Sequence, residues 1–288
     1  MQYYSLNKYL RDTFGDKIYK LSLNAGFTCP NRDGKLGTKG CIFCSAGGSG
    51  DFAESSSLSI TQQIERGKER VAKKIKSGKY IAYFQAYTNT YAPVEILKSK
   101  YMEAVNHKDI VALSVATRPD CLGGDVLKLL DEINKIKPVF VELGLQTIHE
   151  RTARYIRRGY TLDVYDKAVS DLKKIGVNTV VHLILGLPGE TKQDMLDSVK
   201  YVCESGIDGI KLQLLHVLKN TDLEKDYAQG KFKTLEMDEY LDILKSCVDI
   251  IPDNIVIHRL TGDGAKKDLI SPLWSADKKK VLNAINKL

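Results

Sequence analysis

Thr179–Thr191 reads TVVHLILGLPGET. Thr179–Leu185 is an almost unbroken apolar run. A glycine-rich turn, Gly186–Gly189, ends it, and Lys192–Glu204 continues with helical spacing. A strand this apolar, divided from the next by a helix, belongs to a parallel sheet buried on both faces. The same unit repeats outward in both directions. Strands are expected at Ile18–Phe27, Tyr80–Ala86, Ile110–Ala116, Val139–Leu145 and Ile210–Leu215. Helices are expected at Ser59–Lys76, Val94–Asn106, Gly124–Lys135 and Arg151–Ile175, the last broken near Gly159. Six βα units of this length give an α/β chain folded as a partial (β/α)6 TIM-like barrel with N- and C-terminal extensions. The division read from the pattern is a lead-in helix over 1–17, a barrel over 18–220 and an extension over 221–288. The extension carries helices over Asp222–Phe232 and Met237–Ile251, a strand at Ile255–Arg259 and a closing helix at Ala276–Leu288.

The chain has 288 residues, of which 43% are hydrophobic, enough for one large core. No apolar run approaches the roughly 18–20 residues of a membrane span, and Met1-Gln2-Tyr3 opens no signal peptide. A soluble, cytoplasmic protein without a membrane partner is expected. Six cysteines in a chain of this length do not make a disulfide scaffold. The net charge of +7 is compatible with a polyanionic partner and equally with a solvated basic surface.

In a barrel the loops after the strands gather at one face, and chemistry sits there. Every expected strand here ends in polar or glycine-rich sequence. The first is followed by CPNRDGKLGTKGCIFC, Cys29–Cys44, with thiols spaced C-x11-C-x2-C. Thiolates are soft ligands that select zinc or iron–sulfur clusters. Structural zinc takes four ligands, commonly as two close pairs, and only one such pair exists here. Cys203 and Cys247 fall within helices and read as small buried hydrophobes. Cys121 follows a strand and is a candidate for the site. Cys29, Cys41 and Cys44 therefore best suit a 4Fe–4S cluster with one iron lacking a protein ligand.

These features resemble the radical S-adenosylmethionine superfamily. TRPD (Thr117–Asp120), VELGLQT (Val141–Thr147), RRGYT (Arg157–Thr161), LILGLPGET (Leu183–Thr191) and HRLTGDG (His258–Gly264) are similar to the bacterial YhcC/YtqA-like family, related to the radical domain of the Elongator catalytic subunit. The wide first cysteine gap departs from the superfamily's usual C-x3-C-x2-C and points to the same subgroup. The resemblance implies one 4Fe–4S cluster, S-adenosylmethionine as cofactor, its reductive cleavage to a 5′-deoxyadenosyl radical, and an external electron donor such as flavodoxin or ferredoxin. It implies that Phe43 packs near the adenine. Gln85, Thr88 and Asn89 stand where relatives bind the methionine amino group. Ser114, Thr117, Glu142 and Gln146 are placed to bond the ribose or the amino acid moiety, and Arg158 to pair with its carboxylate. Leu187 and Pro188, after Gly186, let backbone approach the adenine. His182, Gln213, His216 and Cys121 are the candidates for a catalytic role.

Blander readings stand beside these. Glu142 can be a structural carboxylate paired with Arg118, and His182 a satisfied core histidine. The implied substrate is a tRNA base, with conversion of a wobble-uridine carboxymethylaminomethyl group to aminomethyl as the specific candidate. The alternatives are a radical enzyme acting on a small molecule or protein, and a zinc-stabilised nucleic-acid-binding module without catalysis.

Overall fold

The computed structural model describes residues 2–48, 53–74, 77–262, 264 and 266–288. The chain runs α1 (Leu6–Phe14), β1 (Tyr19–Leu23), α2 (Ile60–Val71), β2 (Tyr80–Phe84), α3 (Val94–Val105) and β3 (Ile110–Thr117). It continues through α4 (Gly124–Asn134), β4 (Val139–Gln146), α5 (Glu150–Tyr155), α6 (Leu162–Lys174), β5 (Asn178–Leu185), α7 (Lys192–Glu204) and β6 (Gly209–Leu214). The last part holds β7 (Val217–Leu218), α8 (Asp222–Ala228), α9 (Met237–Asp249), β8 (Val256–Arg259), β9 (Leu269–Ser271) and α10 (Lys278–Ile285).

Seven strands pair in the order β1-β2-β3-β4-β5-β6-β8, all parallel. The sheet curls into a partial barrel, as the βα alternation implies. The seventh strand comes from the C-terminal extension, where β8 joins β6 through Gly209↔Val256 and Ile210↔Ile257. A short antiparallel ribbon of β7 and β9 has no periodic signature in the sequence. The break expected near Gly159 is real: α5 and α6 are separate helices, and Arg157 and Gly159 between them have φ values of 60° and 81°.

Local chemistry explains where elements begin and end. Ser59 and Gln62 form a capping box that starts α2, and Thr191 and Asp194 do the same for α7. β1 is shorter than the apolar run suggests. The buried Gln63 side chain takes both backbone groups of Asn24, accepting from its N–H at 2.8 Å and donating to its carbonyl at 2.9 Å. That clamp satisfies the backbone without a ladder partner. Ile75 and Lys76, at the end of the helix expected over Ser59–Lys76, lie outside the described residues, as do Gly50 of the cysteine loop and Asp263 of HRLTGDG. No helix among the described residues is long and apolar enough to cross a membrane.

Side chains alternate across the sheet. One set, including Leu21, Val115, Val141, Leu183 and Leu212, packs against the helices as the main core. The inward set is layered. At the N-terminal end of the barrel, Ile81, Ala112, Phe140 and Val180 form an apolar floor with Ile18, closed from below by Leu10 of α1. Above it the inward residues are polar: Lys20, Ser114, Glu142, His182 and Lys211. Nearer the mouth, Ser22, Gln85, Gly144 and Gln213 are partly exposed, while their outward neighbours Leu23, Phe84, Leu143 and Leu212 are buried. The lumen is thus open toward the C-terminal ends of the strands and plugged at the other end.

Leu10 is 3% exposed in that plug. Leu10→Ala should cost about 2–4 kcal/mol through lost burial and the cavity left behind. Urea unfolding checks this; a loss below about 0.5 kcal/mol, the range of ordinary surface substitutions, would show that α1 does not seal the barrel.

Candidate active site

The cysteine loop leaves β1 and folds back on itself through backbone bonds. Cys29 O accepts from Arg32 N and Asp33 N, Pro30 O from Leu36 N, and Cys41 O from Cys44 N at 3.0 Å. Two side chains inside the loop hold it. Asn31 Nδ2 donates to Arg157 O at 2.7 Å and lies 3.4 Å from Cys41 Sγ. Arg32 Nη2 donates to Cys44 O and Ser45 O at 3.1 and 2.6 Å, and its guanidinium sits 5.4 Å from the centre of the Tyr87 ring. Tyr87 in turn donates to Ala46 O.

The turn between α5 and α6 clasps this loop from outside. Ile42 N donates to Ile156 O, and a Cβ at Gly159 would meet Asn31 Oδ1 at 3.1 Å and Arg118 Nη2 at 3.5 Å. Gly159 also has positive φ, so two demands at one position exclude a side chain. The RRGYT segment is therefore a structural brace for the cysteines.

Burial pushes the Cys41 thiol up to about 11; neighbouring Cys44 adds to this, and Arg118 and the Asn31 amide oppose it. Among the described residues, the trio of ligand atoms lying within 4.8 Å of one another is Glu65, His107 and Asp109. Cys29, Cys41 and Cys44 put three free thiols on one loop, soft donors that fit a cluster. The Glu65 site lies outside the barrel and is already neutralised by Lys68, at 2.9 Å from Glu65 and 2.6 Å from Asp109.

The other strand-end residues divide by what they touch. Asn89 is buried and donates to Ala86 O and Ala116 O, so it ties β2 to β3. Thr88 N donates to Thr28 O beside Cys29, which positions the cluster loop. Thr117 Oγ1 and Thr90 Oγ1 are 2.5 Å apart, and Thr90 donates to Cys121 O. The Cys121 thiol is pushed up to about 12 by burial and by Asp120. Arg158 is 2% exposed and bonds Glu150 at 2.7 Å, Thr147 O at 2.7 Å and Tyr160 O at 2.9 Å. The expected grip of Arg158 on a ligand carboxylate is corrected by these bonds: its guanidinium builds the brace.

Gln146 closes β4 with φ of 73°, unusual for a side-chain-bearing residue, and its Oε1 is buried without a hydrogen-bond partner. An orphaned acceptor at a strained strand end is a mark of a ligand contact. Ile42, Phe43, Ile156, Ile184, Leu187 and Leu215 form an apolar wall beside the cysteines, with half-buried Pro188 next to Leu187. The wall suits a flat heterocycle. Soft donors, the orphaned Gln146 acceptor and this wall together fit a cluster with S-adenosylmethionine. Cys29, Cys41 and Cys44 would hold the cluster; Gln146, Phe43 and Leu187 would face the cofactor. Gln85 stands at the same mouth, partly exposed. His216 is crossed by the loop after β8, where a Cβ at Gly264 would meet its Nδ1 at 2.8 Å.

Ser114, Glu142 and His182 lie deeper, within the barrel. Glu142 is 1% exposed. Its Oε1 accepts from Lys20 at 2.5 Å and Ser114 at 2.7 Å; its Oε2 takes His182 Nε2 at 2.8 Å and Lys211. Arg118 instead forms a two-point pair with Asp120, at 2.9 and 2.7 Å, so the Glu142–Arg118 pairing does not exist. Burial acts to raise the Glu142 carboxyl, but Lys20, Lys211 and His182 outweigh it and hold it well below the carboxylate range. Burial lowers His182 to about 4, so it stays neutral at physiological pH. Gln213 Nε2 lies 3.5 Å from His182 Nδ1.

Lys20, Lys211, Asn31 and Arg32 were not among the sequence candidates. Lysine at an inward position of an apolar strand, as in YKLSL and GIKLQL, is the signal that marks the first two.

The sequence pattern of the Radical SAM superfamily matches residues 28–202, and that of the Radical_SAM C-terminal domain matches residues 207–288. The chain is 46% identical to Bacillus subtilis YtqA over 99% of its own length and 89% of YtqA. It is 38% identical to Escherichia coli YhcC over 91% of its length and 84% of YhcC. A Methanocaldococcus jannaschii tRNA uridine(34) acetyltransferase is 29% identical over 57% of this chain, which spans 30% of that protein. The fold is also that of the archaeal Methanocaldococcus infernus Elp3 with an N-terminal deletion, at a TM-score of 0.68 and 18% identity, covering 91% of this chain and 63% of that one. With the cysteine loop at the mouth of a seven-stranded partial barrel, the chain belongs to the radical S-adenosylmethionine superfamily, within the YhcC/YtqA-like family related to the Elongator radical domain.

Proposed function

We propose that this radical S-adenosylmethionine enzyme modifies a tRNA base, with the wobble uridine as target and conversion of its carboxymethylaminomethyl group to aminomethyl as the reaction. The observation that carries the reading is the similarity, over 57% of the chain, to a protein named for acting on tRNA uridine 34. When bound, the cluster and S-adenosylmethionine supply a radical able to take hydrogen from an unactivated C–H. The chain's own residues do the rest. Asn31 and Arg32 fix the cysteine loop, and the apolar wall at Phe43 and Leu187 excludes water from the mouth. The lumen below is open and lined by Gln85, Gln213 and His182, a polar slot for a base splayed out of its loop. An external donor such as flavodoxin or ferredoxin supplies the electron, and the net charge of +7 is compatible with a polyanionic substrate.

Two outcomes follow. Cys44→Ala should fold with an unchanged thermal transition yet form no 5′-deoxyadenosine from S-adenosylmethionine after anaerobic reconstitution; retained formation would remove Cys44 from the ligand set. Nucleoside profiling of total tRNA from a strain lacking the gene should show carboxymethylaminomethyluridine accumulating at the expense of aminomethyl derivatives. An unaltered profile, with the purified enzyme also inert on that tRNA, refutes the tRNA reading in favour of another radical substrate.

A further inference from the structure

Among the described residues, the polar layer inside the barrel sets two lysines, Lys20 and Lys211, against the Glu142 carboxylate. Glu142 has all its acceptor capacity engaged, two partners on each oxygen. Lys20 and Lys211 both bear on it. Lys211 has a side chain 6% exposed and three N–H donors, of which one meets an acceptor, Glu142. Its ammonium otherwise lies 5.0 Å from the centre of the Tyr83 ring, with Lys20 5.1 Å from the same ring. Burial lowers Lys211 to about 7 against the pull of Glu142. A second carboxylate beside Lys211 would hold it in its ammonium form and take up its remaining donors. Here two lysine side chains flank one aromatic ring beneath an open lumen.

We propose that Lys211 and Lys20 bind a carboxylate carried by the substrate, making the polar layer the specificity floor of the lumen. The identity of that substrate as a modified uridine rests on the tRNA reading; the floor itself rests on the geometry. Depth decides between anions. Glu142 lies four residues below Gln146 on β4, about 13 Å at the rise of a strand. A tRNA phosphate stays outside the mouth when a base enters. The group that reaches the floor is the end of the base's side chain, and in a carboxymethylaminomethyl group that end is a carboxylate. 5-Aminomethyluridine ends in an amine and has no carboxylate for the lysines to hold, so the same floor distinguishes the carboxylate-bearing nucleoside from it.

The test uses free nucleosides and calorimetry on the reconstituted full chain. Wild-type protein should bind 5-carboxymethylaminomethyluridine about tenfold or more tighter than 5-aminomethyluridine, in line with a charge-assisted contact in a buried site. Lys211→Met should bring the two affinities within about threefold of each other, with Lys211→Arg retaining part of the preference. Lys20→Met, at a partly exposed position on the edge strand, gives a second variant if Lys211→Met does not fold. Equal wild-type affinities, or an undiminished preference in both methionine variants, overturn the proposal. Turnover of tRNA without nucleoside discrimination sinks the floor and leaves the tRNA reading intact. Discrimination without any tRNA product does the reverse.

Discussion

The Glu142 carboxylate is the interaction on which the barrel's interior depends. It stands on β4 and receives Lys20 from β1, Ser114 from β3, His182 from β5 and Lys211 from β6. Five of the seven strands are thereby referred to one group with 1% exposure. Burying a charge is tolerated only with such dense compensation, and removing the carboxylate would leave two lysines facing one another in a low-dielectric space. The outward faces of the same strands bury ordinary aliphatic side chains and would hold a sheet together without it. What Glu142 adds is a polar interior, where most small barrels are filled with apolar layers. The lumen therefore has a charged floor instead of a packed core, and the apolar seal is moved below it to Phe140, Val180 and Leu10.

From that floor upward the molecule is graded. Amides occupy the next level, Gln85 and Gln213, and the mouth carries the cysteine loop and the apolar wall around Phe43 and Leu187. Each level has its own means of rigidity. The floor is held by ion pairs, the strand ends by buried side chains such as Asn89 bonding to backbone, and the cysteine loop by Asn31, Arg32 and the 156–160 turn. A reactive radical requires that its neighbours not move, and the loop bearing the ligands is fastened both from within and from outside.

The sequence made the alternation legible because parallel strands are apolar on both faces and stand out against amphipathic helices. Six strands and their helices follow from that, as does the break at Gly159. The cysteine spacing was legible because thiolates have few uses in a chain without a disulfide framework. β8 was legible as a strand but its place as the seventh member of the sheet was not, since pairing across the long α8–α9 excursion leaves no periodic trace. Arg158 misled for a physical reason: an arginine beside a glycine-rich turn is equally suited to a ligand carboxylate and to three acceptors of its own protein, and only the fold brings Glu150, Thr147 and Tyr160 around it. For Glu142 the alternative pairing with Arg118 is replaced by Lys20 and Lys211, which the sequence hides because they are 122 and 69 residues away.

The chemistry depends on a cluster with one iron open to S-adenosylmethionine at the mouth of the barrel. Electron paramagnetic resonance of the anaerobically reconstituted, dithionite-reduced protein tests this most directly. The expected result is a 4Fe–4S signal that shifts when S-adenosylmethionine is added. A colourless protein carrying zinc and no iron, or a cluster signal indifferent to S-adenosylmethionine, would contradict it.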